Sequence, residues 1–106
     1  MADYRTDCMR FQAYAAAMNL TKSERLLWHR RRYIFETKDN PRTLPISNKE
    51  IRDAERLTDP TISQCRRELI RHKLIAWRFN DGGIGLYLMR EVPDPDEVRY
   101  GLRERG

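Results

Sequence analysis

The chain has 106 residues, of which 40% are hydrophobic and 35% charged, and its net charge is +5. A chain of this length and composition forms one small folded domain with a limited core. It contains no apolar run of about 18 residues, which excludes a membrane span, and its N-terminus carries acidic residues and lacks the apolar segment of a signal peptide. The sequence therefore predicts a cytoplasmic domain without a membrane partner.

The positive charge is concentrated in the middle of the chain. Residues 20–57 carry ten basic and six acidic side chains, and residues 58–90 carry six basic and three acidic ones. Residues 91–106 have an excess of acidic side chains instead. A basic centre is typical of a phosphate-binding surface, and the competing interpretation is a solvated basic face without a partner.

Signals for catalysis or metal binding are weak. Cys8 and Cys65 lie far apart and fit no metal or redox spacing, so both are expected to be reduced and structural. His29 and His72 lack ligand spacing to any cysteine or acid. The glycine cluster at residues 82–85 is not followed by Lys-Ser or Lys-Thr, as a phosphate loop would be. We expect no enzymatic activity, no metal and no cofactor.

Two helices are predicted in the N-terminal third. Apolar residues recur at helical spacing over residues 4–18 and draw one stripe along a first helix. Residues 21–24 have the form of a capping box, in which the Thr21 hydroxyl accepts from a helix amide and Glu24 reaches back to the cap. The second helix starts there, and its predicted buried residues are Leu27, Trp28, Ile34 and Phe35.

A second capping box, with Ser47 and Glu50 at its ends, marks the third helix. This helix is predicted to be short, over residues 48–56, with Ile51 and Ala54 facing inward. Two capping boxes in so short a chain are stronger evidence for helix starts than either box alone.

Residues 58–60 predict a fourth helix that continues to about residue 72. Either Thr58 is the N-cap with Asp59 in the first turn, or Asp59 is the N-cap with Pro60 at the first helical position. The predicted inward residues are Ile62, Leu69 and Ile70, with Cys65 alongside.

The outward positions of the fourth helix carry hydroxyl, amide and guanidinium groups. They are Thr61, Gln64, Arg67, Glu68 and Arg71, with Ser63 at the margin. A recognition helix in the major groove of DNA presents such groups to base edges from its N-terminal half. Gln64 would pair with adenine, and Arg67 with guanine or a phosphate. The alternative is that these side chains are only solvated.

Two strands are predicted after the fourth helix, over residues 74–79 and 86–89. Alternation along the first strand places three residues on one face, namely Ile75, Trp77 and Phe79. Trp77 is expected to pack against the helices. Between the strands, Asp-Gly-Gly at residues 81–83 supplies the positive φ angles of a hairpin turn.

The order of these elements predicts an α+β fold that is mostly helical, a winged helix-turn-helix in which four helices precede a two-stranded β-hairpin wing. Generic three-helix domains share part of this order. The domain is assigned to residues 1–90 and a polar, proline-broken tail, with a weak helical turn near Val98, to residues 91–106. Residues expected in or beside the major groove are Thr58, Thr61, Ser63, Gln64 and Arg67, and phosphate contacts are expected from Lys49, Arg71 and Arg78.

The densest basic run, residues 29–32, lies on the second predicted helix. Arg31 falls one turn from both Leu27 and Ile34, so its aliphatic stem is expected along the edge of the core. The run is interpreted as surface and packing arginines. The alternative is a protein-interaction surface on which the three arginines and exposed tyrosines meet an acidic partner.

Short motifs between residues 8 and 90 have a familiar order. They are Phe11-Gln-Ala-Tyr14, Asn19-Leu20-Thr21 with Glu24 and Leu27-Trp28, Pro45-Ile46-Ser47-Asn48 with Ile51, Leu57-Thr58 with Thr61-Ile62, Arg66, Leu69-Ile70, Leu74-Ile75 and Tyr87. This pattern resembles the winged-helix N-terminal domains of phage and mobile-element replication initiators, the DnaD-like replisome organisers. The resemblance implies double-stranded DNA binding at the start of replication, often as a homo-oligomer and with a replication protein such as a helicase as partner.

The chain departs from that family at three positions. Arg56 and Lys73 stand where the family usually has glycine, after the third and fourth helices, so those turns could differ here. Arg31 occupies a normally apolar position. The leading hypothesis is DNA binding in replication initiation. A winged-helix transcriptional regulator is the nearest alternative, and a winged-helix protein-interaction module is the alternative from another class.

Overall fold

The structure is a computed structural model that describes residues 3–79 and 84–93. These residues form four α-helices and a three-stranded antiparallel sheet, an α+β arrangement in which helix predominates. In chain order the elements are α1 (Tyr4–Ala17), α2 (Lys22–Thr37), β1 (Leu44–Ser47), α3 (Asn48–Glu55), α4 (Asp59–Arg71), β2 (Ile75–Phe79) and β3 (Ile84–Met89). The predicted hairpin turn at residues 81–83 and the predicted helical turn near Val98 lie outside the described residues. None of the helices in the described part of the chain is both long enough and apolar enough to cross a membrane.

Side-chain caps fix the starts of the helices. The capping boxes predicted at residues 21–24 and 47–50 are both complete, with hydrogen bonds in both directions. At α4, Thr58 is the N-cap and Asp59 lies in the first turn, which decides between the two predicted alternatives. α1 starts after Asp3, whose carboxylate accepts from the backbone of Thr6 at 2.8 Å. The helix boundaries are thus set by local chemistry, which is why the sequence predicts them well.

α3 and α4 are each followed by a residue in the left-handed conformation that is not glycine. Arg56 has φ of 54° and Lys73 has φ of 60°. These are the two positions at which the resembled family usually has glycine. Both turns therefore have the left-handed backbone conformation that glycine favours, although Arg56 and Lys73 carry a Cβ. This conformation costs about 1–2 kcal/mol per residue.

β3 is the central strand of the sheet, whose order is β1-β3-β2. Tyr87 of β3 pairs with Trp77 on one side and with Leu44 on the other. The sequence predicts only two strands, and the third, β1, is a correction. β1 is four residues long and contains Pro45, so it carries no alternating pattern, and only its pairing with β3 makes it a strand. β3 also starts at Ile84, two residues earlier than predicted.

The outer edge of β1 is short of hydrogen-bond donors. Ser47 donates its backbone N–H to the Glu50 carboxylate at 3.2 Å, so this group does not point at β3. Backbone N–H groups alternate between the two sides of a strand, so the nitrogen of Pro45, which carries no hydrogen, points the same way as that of Ser47. Neither residue leaves a free backbone N–H on the outer edge.

The apolar core lies between the helices and the inner face of the sheet. Its largest fully buried apolar side chains are Phe11, Leu27, Trp28, Phe35, Ile51, Ile62, Leu69, Leu74, Ile75 and Tyr87. The rings of Phe11 and Trp28 stack with centroids 4.0 Å apart and join α1 to α2. Val92, which the sequence places in the tail, is also buried in this core.

Two residues predicted to face inward are exposed. Ile70 is 38% exposed, and Ala54 is also exposed. On α4 the centre of the buried stripe follows Ile62, Cys65 and Leu69, so the next position along, Ile70, lies at its margin.

Arg31 and Arg32 are buried, which is deeper than the predicted mixture of surface and packing arginines with the Arg31 stem at the edge of the core. Each residue is 1% exposed. Arg31 donates to the Glu55 carboxylate at 2.6 Å, and Arg32 donates to the Asp7 carboxylate at 2.9 Å. These pairs join α2 to α3 and to α1. A guanidinium can lie inside a protein when a carboxylate meets it there, and such long-range partners cannot be read from the run itself.

Removal of one partner of the Arg31–Glu55 pair should destabilise the fold strongly. Burial raises the pKa of Glu55 and lowers the pKa of Arg31, because both charges lose hydration and their mutual attraction offsets only part of this loss. Glu55→Leu leaves the cation unpaired, and we expect the free energy of unfolding to fall by about 3–5 kcal/mol. Urea denaturation followed by circular dichroism measures this loss.

The control is the double variant Arg31→Met, Glu55→Leu, which replaces the ion pair with apolar side chains. It should regain most of the lost stability, because an apolar pair of similar volume commonly replaces a buried ion pair at little cost. A single Glu55→Leu variant as stable as the original protein would contradict the burial of this pair.

Candidate nucleic-acid interface

The outward face of α4 carries a stripe of polar residues. Gln64, Arg67 and Arg71 are exposed and lie three and four residues apart, which aligns them along one side of the helix. The opposite side is buried through Ile62 and Leu69. The structure thus brings together three of the predicted contact residues, and it places two more, Thr61 and Ser63, half-buried beside them. We call Gln64, Arg67 and Arg71 the α4 stripe.

The two cations of the α4 stripe differ in their partners. The side chains of Arg67 and Gln64 make no hydrogen bond or ion pair with any other residue that the structure describes. Arg71 instead donates Nε and Nη2 to the Glu68 carboxylate at 3.0 and 2.8 Å. These hydrogen bonds lower the pKa of Glu68, so the carboxylate is charged at neutral pH. Arg67 can meet an anion directly, whereas Arg71 must first leave Glu68.

The remaining predicted contact residues lie around the α4 stripe. The Thr58 hydroxyl is engaged with Thr61, accepting from its backbone at 3.4 Å and donating to its hydroxyl at 3.0 Å. Lys49 is exposed on α3 and pairs with Asp53 at 2.9 Å. Arg78 is exposed on β2, and no described residue pairs with it. Strand alternation places Arg78 on the sheet face away from α4, so it does not join the α4 stripe.

An ion pair joins α3 to the first turn of α4. Arg52 donates Nη1 to both carboxylate oxygens of Asp59, at 2.7 and 2.9 Å. Both side chains are about half exposed. A surface pair of this kind contributes at most about 1 kcal/mol, so its main effect is on the orientation of the two helices. The sequence gives no signal for it, because the two residues lie on different helices.

Arg66 fixes α4 to the sheet and to α3. It is 7% exposed, and its Nη1 donates to the side chains of Asn48 at 3.2 Å and Tyr87 at 3.1 Å. Its guanidinium carbon lies 4.0 Å from the ring centroid of Trp77. None of the described carboxylates forms an ion pair with Arg66. The ring face of Trp77 therefore takes the place of an anion next to this cation.

Trp77 lies against the glycine of the neighbouring strand. A Cβ on Gly85 would be 1.9 Å from the indole Nε1, so a side chain at this position would displace the ring. Trp77 packs against the core as predicted, but it is only partly buried. Phe79, predicted on the same face of β2, is 63% exposed. The helices thus cover the start of β2 and leave its end open.

Gly85→Ala should disturb this arrangement. We expect it to lower the free energy of unfolding by about 1–3 kcal/mol, as overpacking does, and to change the tryptophan near-ultraviolet circular dichroism. The measurement is thermal or urea denaturation with that spectrum as a second readout. In a Trp77→Leu background the same substitution should have a much smaller effect, since the indole is no longer there. Equal losses in both backgrounds would show that Gly85 is needed for another reason.

Away from the α4 stripe, burial shifts the pKa of several titratable groups. Burial lowers the pKa of His29 and of His72, and the latter is hydrogen-bonded to the Tyr14 hydroxyl at 2.8 Å. Burial also raises the pKa of Cys65, which disfavours its reactive thiolate. Within residues 3–79 and 84–93, no group of three or more His, Cys, Asp or Glu side chains is arranged to hold a metal ion.

Comparisons of the chain with protein-family models, with curated proteins and with solved structures found no match. The function is therefore inferred from the chemistry of this surface and from the arrangement of the elements that carry it.

Proposed function

We propose that the chain is a double-stranded DNA-binding protein of the winged helix-turn-helix type. In this proposal α3 and α4 form the helix-turn-helix, α4 is the recognition helix, and β2 and β3 form the wing. The observation that carries the proposal is the α4 stripe, an exposed row of amide and guanidinium groups on a helix whose other side is anchored in the core.

The arrangement around α4 supports this proposal. A short helix, a three-residue turn and a longer helix are the order of a DNA-binding helix-turn-helix, and an antiparallel strand pair follows directly. The Arg52–Asp59 pair orients α3 and α4 relative to each other. Arg66 holds α4 against both α3 and the strand pair. A helix fixed in this way can enter a groove without losing much conformational freedom.

The chemistry of the residues assigns different roles along α4. Gln64 can form a bidentate hydrogen-bond pair with adenine, and Arg67 can bind guanine or a phosphate. Thr58, Thr61 and Ser63 lie in or beside the major groove in this arrangement. Arg71, Lys49 and Arg78 supply phosphate contacts, the first two only after their carboxylates are displaced.

The biological role proposed is replication initiation on a phage or mobile element, on the basis of the resemblance to DnaD-like replisome organisers. A homo-oligomer and a replication protein as partner are part of that proposal. A transcriptional regulator would use the same surface, and a helicase or primase gene beside this one would favour replication. The protein-interaction alternative loses support, because Arg31 and Arg32 are buried and only Arg30 remains near the surface.

The first test is fluorescence anisotropy with labelled duplex DNA at several salt concentrations. Each phosphate contact contributes about −0.9 to the slope of log K against log salt. If Arg67 binds phosphate, Arg67→Ala should flatten the slope by about one and weaken all sequences alike. Gln64→Ala should keep the slope and relax the preference at one base pair by about 1–3 kcal/mol. Arg5→Ala, which removes the same charge from an exposed position on α1, is the matched control.

Unmodified protein that binds no duplex more tightly than about 10⁻⁴ M at physiological salt, the weak end of non-specific binding, would overturn the proposal. Equal effects of Arg67→Ala and Arg5→Ala would instead remove α4 from the interface.

Glu68→Gln should tighten DNA binding, because it removes a negative charge beside the α4 stripe and releases Arg71 from its ion pair. We expect the salt slope to become steeper by about one, the contribution of one more phosphate contact. The double variant Glu68→Gln, Arg71→Ala should lose this extra slope. If the double variant keeps it, Arg71 does not contact phosphate.

A further inference from the structure

Solvent exposure increases along one face of β2. Ile75 is 1% exposed, Trp77 is partly buried, and Phe79 is 63% exposed, although all three point to the same face of the sheet. Phe79 is thus a large apolar side chain in contact with water on the face against which α4 packs. A single exposed apolar side chain is common on protein surfaces, and what distinguishes Phe79 is the ring that holds it in place.

The ring of Phe79 is held in place by contact with Trp77. Its ring meets the ring of Trp77 edge to face, with centroids 6.1 Å apart and planes at 66°. Trp77 is in turn fixed by the guanidinium of Arg66 over its face and by Gly85 against its edge. An exposed ring on such a support loses little side-chain entropy when it binds something.

Phe79 lies just beyond the contact between β2 and α4. β2 follows α4 after a short turn, and Arg66 of α4 lies over the ring of Trp77 of β2. Phe79 is two residues, or about 7 Å, further along β2 and on the same face of the sheet. The ring therefore extends, on the exposed side, the surface at which β2 meets the helix proposed to enter the groove.

We propose that Phe79 stacks on a DNA base that is unpaired or unstacked, so that the protein binds a locally opened duplex more tightly than a fully paired one. This inference rests on the proposed DNA-binding function. A paired base inside a duplex offers no free face, whereas an unpaired base stacks on an aromatic ring with about 1–3 kcal/mol, a factor of roughly 5 to 150 in affinity. The indole Nε1 of Trp77 is buried and has no hydrogen-bond partner among the described residues, so packing contacts hold this ring.

The test compares two labelled DNAs of the same sequence, one fully paired and one with a three-nucleotide bubble, by anisotropy at a single salt concentration. The unmodified protein should prefer the bubble by about tenfold, within the range for one stacked base. Phe79→Leu keeps an apolar side chain but has no ring, and it should bind both DNAs equally. Phe79→Tyr keeps the ring and should retain the preference.

The matched control is Ile84→Ala, which removes an exposed apolar side chain from the opposite face of the sheet and should leave the preference unchanged. The melting temperature of Phe79→Leu should be close to that of the unmodified protein, since the ring is largely exposed.

Three results would overturn the inference. An unmodified protein that binds the paired duplex but shows no preference for the bubble excludes base stacking while leaving the proposed function intact. A preference that survives in Phe79→Leu assigns the discrimination to other residues. Failure to bind either DNA removes the proposed function, and the inference with it.

Discussion

One buried cation joins α4 to three other elements of the fold. Arg66 is the contact through which the helix meets α3 at Asn48, the central strand at Tyr87 and the edge strand at Trp77. Because its partners are two neutral oxygens and a ring face rather than a carboxylate, its geometry matters more than its charge alone. A guanidinium is planar and can stack while it donates in its own plane, which an ammonium cannot do. The relation between α4 and the strand pair is therefore tied to arginine at this position.

Burial of charged residues leaves the net charge of the surface unchanged, because three acidic and three basic residues are buried in the described part of the chain, but it reduces the number of surface cations. Arg31, Arg32 and Arg66 belong to the basic centre of the sequence, and all three are inside the protein. In a small domain their long aliphatic stems add packing volume that a limited supply of apolar residues does not provide. Two of these arginines are neutralised by carboxylates from other helices. The positive surface is thus made by fewer residues than the composition suggests, and single cations such as Arg67 carry more weight.

The sequence predicts the helices well because their starts depend on neighbouring residues. Thr21, Ser47 and Thr58 each cap the helix that follows, and these signals extend over only three residues. The outward face of α4 is predicted for a similar reason, since helical periodicity alone separates Gln64 and Arg67 from the core.

Features that depend on distant residues escape prediction. β1 is a strand because β3 lies beside it, and Arg31 is buried because Glu55, 24 residues away, supplies its counter-charge. The ion pair between Arg52 and Asp59 and the stacking of Arg66 on Trp77 likewise join different elements. Each of these contacts forms only when the chain folds. A run of arginines can therefore be exposed or buried, and the run itself does not distinguish the two.

The outer edge of β1 has a consequence for how the protein behaves when many copies are close together. Open strand edges are templates on which further strands assemble, and proteins with long unprotected edges aggregate through them. Here the proline nitrogen at residue 45 has no hydrogen to give, and the N–H of Ser47 is already used by Glu50. A strand approaching this side finds acceptors without matching donors. Copies at high concentration would therefore be kept from joining their sheets at β1.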